Sequence, residues 1–133
     1  MSSDAHKDGA PKWMFWTGWV ISAIPILMMA GLGTAMAITA PNKVIDGMKK
    51  YGYPESAAWP ILIAEITCAV IYAIPQTAVL GAILLTGYLG GAVATHVHAG
   101  ESTFYFPVIM GVLVWLGILL RDARVRAVLP LRQ

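Results

Sequence analysis

A single carboxylate in a long apolar run is the first residue of this sequence that could do chemistry. Glu65 lies near the middle of ILIAEITCAV, where a carboxylate is costly unless it is protonated, paired or hydrated. We therefore expect Glu65 to face the interior of a helical bundle, either as a proton-exchanging group or as a protonated side chain that only holds helices together. No lysine or arginine interrupts the apolar runs, so an ion pair could form only with a protonated histidine. The other expected partners are water, amides or hydroxyl groups, and the hydroxyl groups are those of Ser22, Thr34, Thr67, Tyr72, Thr86 and Tyr88.

The stretch TGYLGGAVATHV carries three further polar candidates, Tyr88, Thr95 and His96. Tyr88 and Thr95 are seven residues apart, so they share one face of a helix. His96 follows at the end of the run, where a histidine can be merely solvated or can bind a proton, a metal or a quinone carbonyl. His96 and His98 are two residues apart and point to different sides of a helix, so no metal site is predicted.

Small residues remove side-chain bulk from the same stretch. Gly87 and Gly91 form a G-x-x-x-G pair, and Gly90 and Ala94 extend the small surface. Helices in a bilayer associate through close packing rather than through the hydrophobic effect. These four residues therefore predict that another helix packs here, either within this chain or across a dimer.

The composition predicts a chain that lies in a membrane. Of its 133 residues, 58% are hydrophobic and 12% are charged, which is about half the charged fraction of a soluble domain. The net charge of +2 is too small to indicate a nucleic-acid partner, and the lone Cys68 predicts a small buried side chain. Four apolar runs are each long enough for a membrane-spanning helix of roughly 20 residues: about 13–40, 57–74, 78–97 and 103–120.

Short connections between the runs predict neighbouring helices that are antiparallel. The fold class is therefore an all-α integral membrane protein, with an antiparallel four-helix transmembrane bundle formed by residues 13–120. Residues 1–12 are predicted to be disordered, and residues 121–133 to form a basic tail. Within the first run, Pro25 is expected to kink the helix or to loosen its backbone hydrogen bonds.

The segment PNKVIDGMKKYG, between the first two runs, has a different pattern. Pro41 suits the start of a helix and Gly52 its end. Apolar residues fall at helical spacing, and charged residues occupy the other side. The apolar residues are Val44, Ile45, Met48 and Tyr51. We predict a short amphipathic helix at the membrane surface, with an ordinary surface loop as the alternative.

Positive charges are divided unequally between the two ends of the predicted bundle. The end without the termini carries only Lys43, Lys49 and Lys50. The end with both termini carries six: Lys7, Lys12, Arg121, Arg124, Arg126 and Arg132. The positive-inside rule then predicts that both termini are cytoplasmic.

Four features together resemble the DoxX-like family. They are TGYLGGAVATHV in the third helix, the mid-membrane glutamate of the second, NKVIDGMKKYGYP after the first, and RDARVRAVLPLR at the end. The resemblance extends over residues 13–132 and implies a small four-helix protein of the bacterial cytoplasmic (inner) membrane. Members of the family resemble subunits of a thiosulfate–quinone oxidoreductase or of a terminal quinol oxidase assembly, and other relatives are tied to membrane redox systems.

The resemblance implies a redox-associated subunit of a membrane oxidoreductase, without catalytic activity of its own. Glu65, Tyr88, Thr95 and His96 are then candidate residues of a pocket for a quinone-like or other small apolar ligand, with quinone as the expected cofactor and no metal. The alternative is a non-catalytic subunit that contacts lipid and other membrane proteins or a second copy. A third hypothesis is a small proton-linked transporter.

Overall fold

The computed structural model describes residues 11–129, and all of their regular secondary structure is helical. The helices are α1 (Lys12–Thr39), α2 (Pro41–Lys50), α3 (Ala58–Ala73), α4 (Ala78–His98), α5 (Tyr105–Arg121) and α6 (Ala123–Val128). Single 3-10 turns, Glu55–Ala57 and Ser102–Phe104, precede α3 and α5. The predictions made for residues 1–10 and for Arg132 lie outside the described residues.

Four of these helices, α1, α3, α4 and α5, are long and apolar enough to cross a membrane, which confirms the predicted four-helix membrane bundle. α1 packs mainly against α5, α5 also packs against α4, and α4 packs against α3. Contacts of α1 with α3 close the ring. α1 begins and α5 ends at one end of the bundle, which we call the termini end; the opposite end, which carries α2, is the α2 end.

α2 confirms the predicted amphipathic helix. It begins at Pro41, and the chain leaves it through Gly52, whose φ of 85° is in the left-handed region that favours glycine. Val44, Ile45 and Met48 are partly buried, whereas the lysines of the helix are exposed. The apolar side of α2 therefore faces the bundle.

α1 departs from α-helical geometry at Leu27–Leu32, a π-helical segment that begins two residues after the buried Pro25. Proline has no backbone N–H, so the carbonyl four residues before it loses its helical partner. This agrees with the expectation that Pro25 loosens the hydrogen bonds of the first helix. Single π-helical turns inside α-helices are frequent at functional sites, and this one lies beside the candidate site described below.

Tyr72, in α3, contacts each of the other three spanning helices. Its side chain is 0% exposed, and its hydroxyl donates to the carbonyl oxygen of Val114 in α5 at 2.7 Å. The hydroxyl of Ser22 in α1 lies 2.9 Å away; because Tyr72 already donates to a carbonyl, Ser22 is the donor of this second bond. Gly81 in α4 lies so close to the Tyr72 backbone that a Cβ there would overlap it.

Arg121 is buried at the termini end. The sequence placed it in the basic tail of residues 121–133, but it is the last residue of α5 and is 8% exposed. Its guanidinium lies 4.2 Å from the ring centroid of Trp19 and 4.6 Å from that of Tyr72, at cation–π distances. Nη2 donates to the Tyr72 carbonyl at 2.8 Å, a carbonyl in the last turn of α3 that has no helical partner.

The close approach of Gly81 to Tyr72 gives a test of the packing. We expect Gly81→Ala to destabilise the bundle by about 1–3 kcal/mol, because the new methyl group must displace backbone. Gly87→Ala is the matched control on the same helix, where a Cβ would meet nothing within 4 Å, and should change the stability by less than about 0.5 kcal/mol. Unfolding of both variants in detergent measures the difference; equal losses would contradict the packing described here.

Candidate functional site

Glu65 and Tyr88 form a polar pair inside the bundle. The Tyr88 hydroxyl of α4 donates to Glu65 Oε2 of α3 at 3.2 Å. Tyr88 is one of the six hydroxyl partners that the sequence offered. Gly33 in α1 lies opposite the carboxylate: a Cβ built there would lie 3.8 Å from Glu65 Oε2. The glycine therefore leaves α1 close to the carboxylate without filling the space in front of it.

Glu65 and Tyr88 line a cavity of about 340 Å³ between α1, α3, α4 and the start of α5. Most of the lining is apolar and flexible, since four methionines contribute to it: Met28, Met29, Met36 and Met110. Met28 and Met29 lie in the π-helical segment of α1. The cavity therefore combines a few polar groups with adaptable thioether side chains, which is typical of sites for small apolar ligands.

His96 lines the same cavity at the α2 end. Its Nδ1 lies 2.7 Å from the carbonyl oxygen of Ala92, and a carbonyl can only accept, so Nδ1 carries a hydrogen. Its Nε2 faces the hydroxyl of Tyr51, at 3.5 Å. The predicted residues Glu65, Tyr88 and His96 are thus brought to one cavity by two helices.

Two residues at the end of α2 bind Glu101 and so attach α2 to the rest of the bundle. The Tyr51 hydroxyl donates to Glu101 Oε2 at 2.9 Å, and Lys50 Nζ lies 2.7 Å from Glu101 Oε1. The hydrogen bond from Lys50, and after it the one from Tyr51, lowers the pKa of the Glu101 carboxyl. The same contact with Glu101 raises the pKa of Lys50. The charged form of each partner is therefore the stable one in the folded protein.

The comparison with protein families agrees with this architecture. The model of the DoxX-like family matches residues 20–117, which include all four spanning helices in whole or in large part. The chain belongs to the DoxX-like family. No curated protein and no solved structure matches it.

In this DoxX-like protein, Thr95 does not line the cavity that Glu65, Tyr88 and His96 share. It lines a second cavity of about 360 Å³, beneath α2, and not the cavity of Glu65. Its hydroxyl donates to the Gly91 carbonyl at 2.9 Å and lies 2.8 Å from the Tyr53 hydroxyl. Tyr88 and His96 line both cavities, so they form the wall between them.

The four small residues of α4 form an open surface in the described part of the chain. Gly87, Gly90, Gly91 and Ala94 are exposed, and a Cβ at any of the three glycines would meet nothing within 4 Å in residues 11–129. That another helix packs on this surface, within the chain or across a dimer, stays a prediction.

Sequence reasoning missed the polar group formed by Lys50, Tyr51 and Glu101. Tyr51 was assigned to the apolar side of α2, which is correct, but its hydroxyl reaches a histidine 45 residues away. The signal that could have found it is its position: a tyrosine at the end of an amphipathic helix has a buried ring and a polar tip that needs a partner.

The contacts of Glu101 predict how the attachment of α2 depends on pH. Because the pKa of Glu101 is lower in the folded protein, the contact stabilises the closed α2 end above the unfolded pKa, about 4.3. That stabilisation is lost as the pH falls through the lower folded pKa. We expect amide exchange of residues 41–53, corrected for its intrinsic pH dependence, to be slow at neutral pH and to accelerate below about pH 4.

Two variants test this assignment. Glu101→Gln should accelerate exchange in residues 41–53 at neutral pH and remove the acid step, as measured by mass spectrometry. Glu55→Gln is the control, because Glu55 pairs with Lys49 in an exposed contact at 3.3 Å. If both variants behaved alike, Glu101 would not be the group that holds α2.

Proposed function

We propose that this protein binds a quinone-like molecule in the cavity of Glu65, Tyr88 and His96, as a redox-associated subunit of a membrane system. The observation that supports this most directly is the Tyr88–Glu65 hydrogen bond on the wall of a cavity of about 340 Å³. This volume is at the lower end of the range for small-ligand sites, about 300–1,000 Å³. A polar pair at the wall of an otherwise apolar cavity suits a flat ring that carries oxygen atoms.

The donor set fits such a ligand. When bound, a quinone would supply reversible two-electron, two-proton chemistry. Tyr88 can turn its hydroxyl from Glu65 towards a ligand oxygen, and Glu65 can hold a proton at a carboxylate oxygen 3.2 Å from that hydroxyl. His96 lines the same cavity about two turns further along the helix of Tyr88. The methionine side chains can adapt to the shape of the ring.

A neighbouring groove supports a ligand with an apolar tail. Leu89 and Pro107 line both the cavity and a groove of about 540 Å³ between α4 and α5. Thr86 and Trp115 supply the few polar atoms of this groove and bond to each other, Nε1 to Oγ1 at 2.7 Å. An alkyl or isoprenoid chain leaving the cavity past Leu89 would therefore meet an apolar surface.

The proposal predicts the effect of removing one hydroxyl. We expect Tyr88→Phe to weaken the binding of a short-chain benzoquinone about 10-fold, because one hydrogen bond is worth roughly 1.4 kcal/mol in such a site. Glu65→Gln should weaken binding by a similar factor. Titration of the protein in lipid nanodiscs, followed by tryptophan fluorescence, measures the affinity.

Tyr105→Phe and Glu55→Gln are the matched controls. Tyr105 is 55% exposed, and Glu55 lies in the turn before α3, so neither lines the cavity. Both controls should bind the benzoquinone as the unmodified protein does. Equal affinity in Tyr88→Phe, Glu65→Gln and the controls would contradict the proposal.

A second candidate function is supported by the open small-residue surface of α4. We propose as the alternative that a helix of another subunit or of a second copy packs against Gly87, Gly90, Gly91 and Ala94. In either function we place the protein in a bacterial cytoplasmic membrane, with both termini in the cytoplasm. Purification in native lipid particles tests it. Gly91→Leu should release a stoichiometric protein partner while Ala35→Leu, on α1, retains it; an isolated monomer in both cases would exclude this function.

A further inference from the structure

A chain of polar groups connects the candidate cavity with the surface at the α2 end. Glu101 receives hydrogen bonds from Tyr51 and Lys50, and the Tyr51 oxygen faces His96 Nε2. Lys50 is exposed, so Glu101 is at the boundary with water. His96 lines the cavity that Glu65 and Tyr88 also line. The chain therefore runs from water, through α2 and α4, to the cavity wall.

The hydrogen bonds of His96 determine which nitrogen exchanges a proton. Nδ1 carries a hydrogen because it lies 2.7 Å from the Ala92 carbonyl. Nε2 is therefore the nitrogen with a lone pair in the neutral ring and the second N–H donor in the cationic ring. This is the atom that faces Tyr51. The exchangeable proton of His96 thus lies on the side of α2.

Within residues 11–129, the hydrogen bonds of Tyr72 at the termini end go to Ser22, Val114 and Arg121, and none of these residues lines the cavity. Apolar side chains that are 6% exposed or less form one buried cluster with Tyr72: Met29, Leu85, Leu89, Met110 and Val114. They carry no hydroxyl, amide or carboxyl group that could pass a proton, and the Cys68 thiol that packs against this cluster is only a weak hydrogen-bond donor. Protons can therefore reach Glu65 more readily from the α2 end.

We propose that the cavity exchanges protons with water at the α2 end, through His96, Tyr51 and Glu101. The proposal rests on the proposed function in one respect, which is that the ligand chemistry in the cavity takes up and releases protons. It adds two residues to that function, Tyr51 and Glu101, and it assigns the side of the membrane on which the protons appear.

A proton moves outward from His96 to Glu101 by way of the Tyr51 hydroxyl. The Nε2–H bond of cationic His96 breaks and a new O–H bond forms at Tyr51, while the original O–H of Tyr51 breaks and its proton bonds to Glu101 Oε2. His96 becomes neutral, Tyr51 keeps one proton, and Glu101 then releases its proton to water. The 3.5 Å between Nε2 and the Tyr51 oxygen exceeds the usual range of about 2.7–3.2 Å, so closing this gap limits the transfer.

The inner part of the route lies within the cavity. Glu65 and His96 both line it, and no direct bond joins them in the described residues. A cavity of about 340 Å³ has room for several water molecules at roughly 30 Å³ each. Waters between the Glu65 carboxyl and the His96 ring would complete the connection.

The test measures hydrogen–deuterium exchange at the Glu65 carboxyl by infrared spectroscopy. The full chain in lipid nanodiscs, without added quinone, is transferred to D2O at a pH low enough for the carboxylic acid band to be present. The band is assigned by its loss in Glu65→Gln. We expect Tyr51→Phe, which leaves the Lys50–Glu101 contact in place, to slow the exchange at least 10-fold, and Glu101→Asp, which keeps a carboxylate there, to retain much of the rate.

Whether Tyr51→Phe slows or accelerates the exchange shows whether Tyr51 passes protons or only keeps water out. If Tyr51 only kept water out, Tyr51→Phe would loosen α2 and accelerate exchange. Tyr53→Phe is the matched control, because Tyr53 bonds Thr95 beside the same cavity wall without joining the chain of Glu101, and it should leave the rate unchanged.

Faster or unchanged exchange in Tyr51→Phe, with helix content retained by circular dichroism, would overturn the proposal. Because no quinone is present, this result is independent of the quinone titration. If the protein did not bind the benzoquinone but Tyr51→Phe still slowed exchange at Glu65, the proton route would be supported and quinone binding would be contradicted.

Discussion

The packing of four spanning helices around one tyrosine is the constraint on which this structure depends. Within a bilayer the helices gain little from excluding water from each other, so association relies on close contact and on polar groups that find partners. Tyr72 meets both requirements, because its hydroxyl bonds α1 and α5 while its backbone admits α4 at Gly81. Arg121 covers the ring from the termini end. That end of the bundle is therefore filled.

The filled end determines where a ligand can be. Towards the α2 end the four helices line a cavity in place of a packed core. There His96 faces Tyr51, which follows α2, and Tyr51 donates to Glu101 in the loop before α5. The π-helical segment of α1 and Gly33 lie beside this cavity. One end of the protein thus stabilises the bundle, and the other end positions the groups that can exchange protons.

The sequence predicted the four helices and the amphipathic helix because bilayer thickness and helical periodicity act locally. It also offered Tyr88 as a partner of Glu65. It could not predict that Arg121 is buried, since this depends on Trp19 and Tyr72, which come from distant parts of the chain. Glycine spacing also did not indicate which glycine packs closely within the described chain: Gly81 packs tightly, whereas the Gly87 and Gly91 pair is open there. The partners of Tyr51 likewise appear only after the chain has folded.

A crystal structure grown from a lipidic phase that contains a brominated short-chain benzoquinone would test the ligand site most directly. The anomalous signal of bromine locates the ring without reference to the protein. We expect the strongest bromine peak in the cavity, beside the Tyr88–Glu65 pair, with the peak lost in Glu65→Gln. Bromine found only on the lipid-facing surface, with the methionine side chains filling the cavity, would contradict this account.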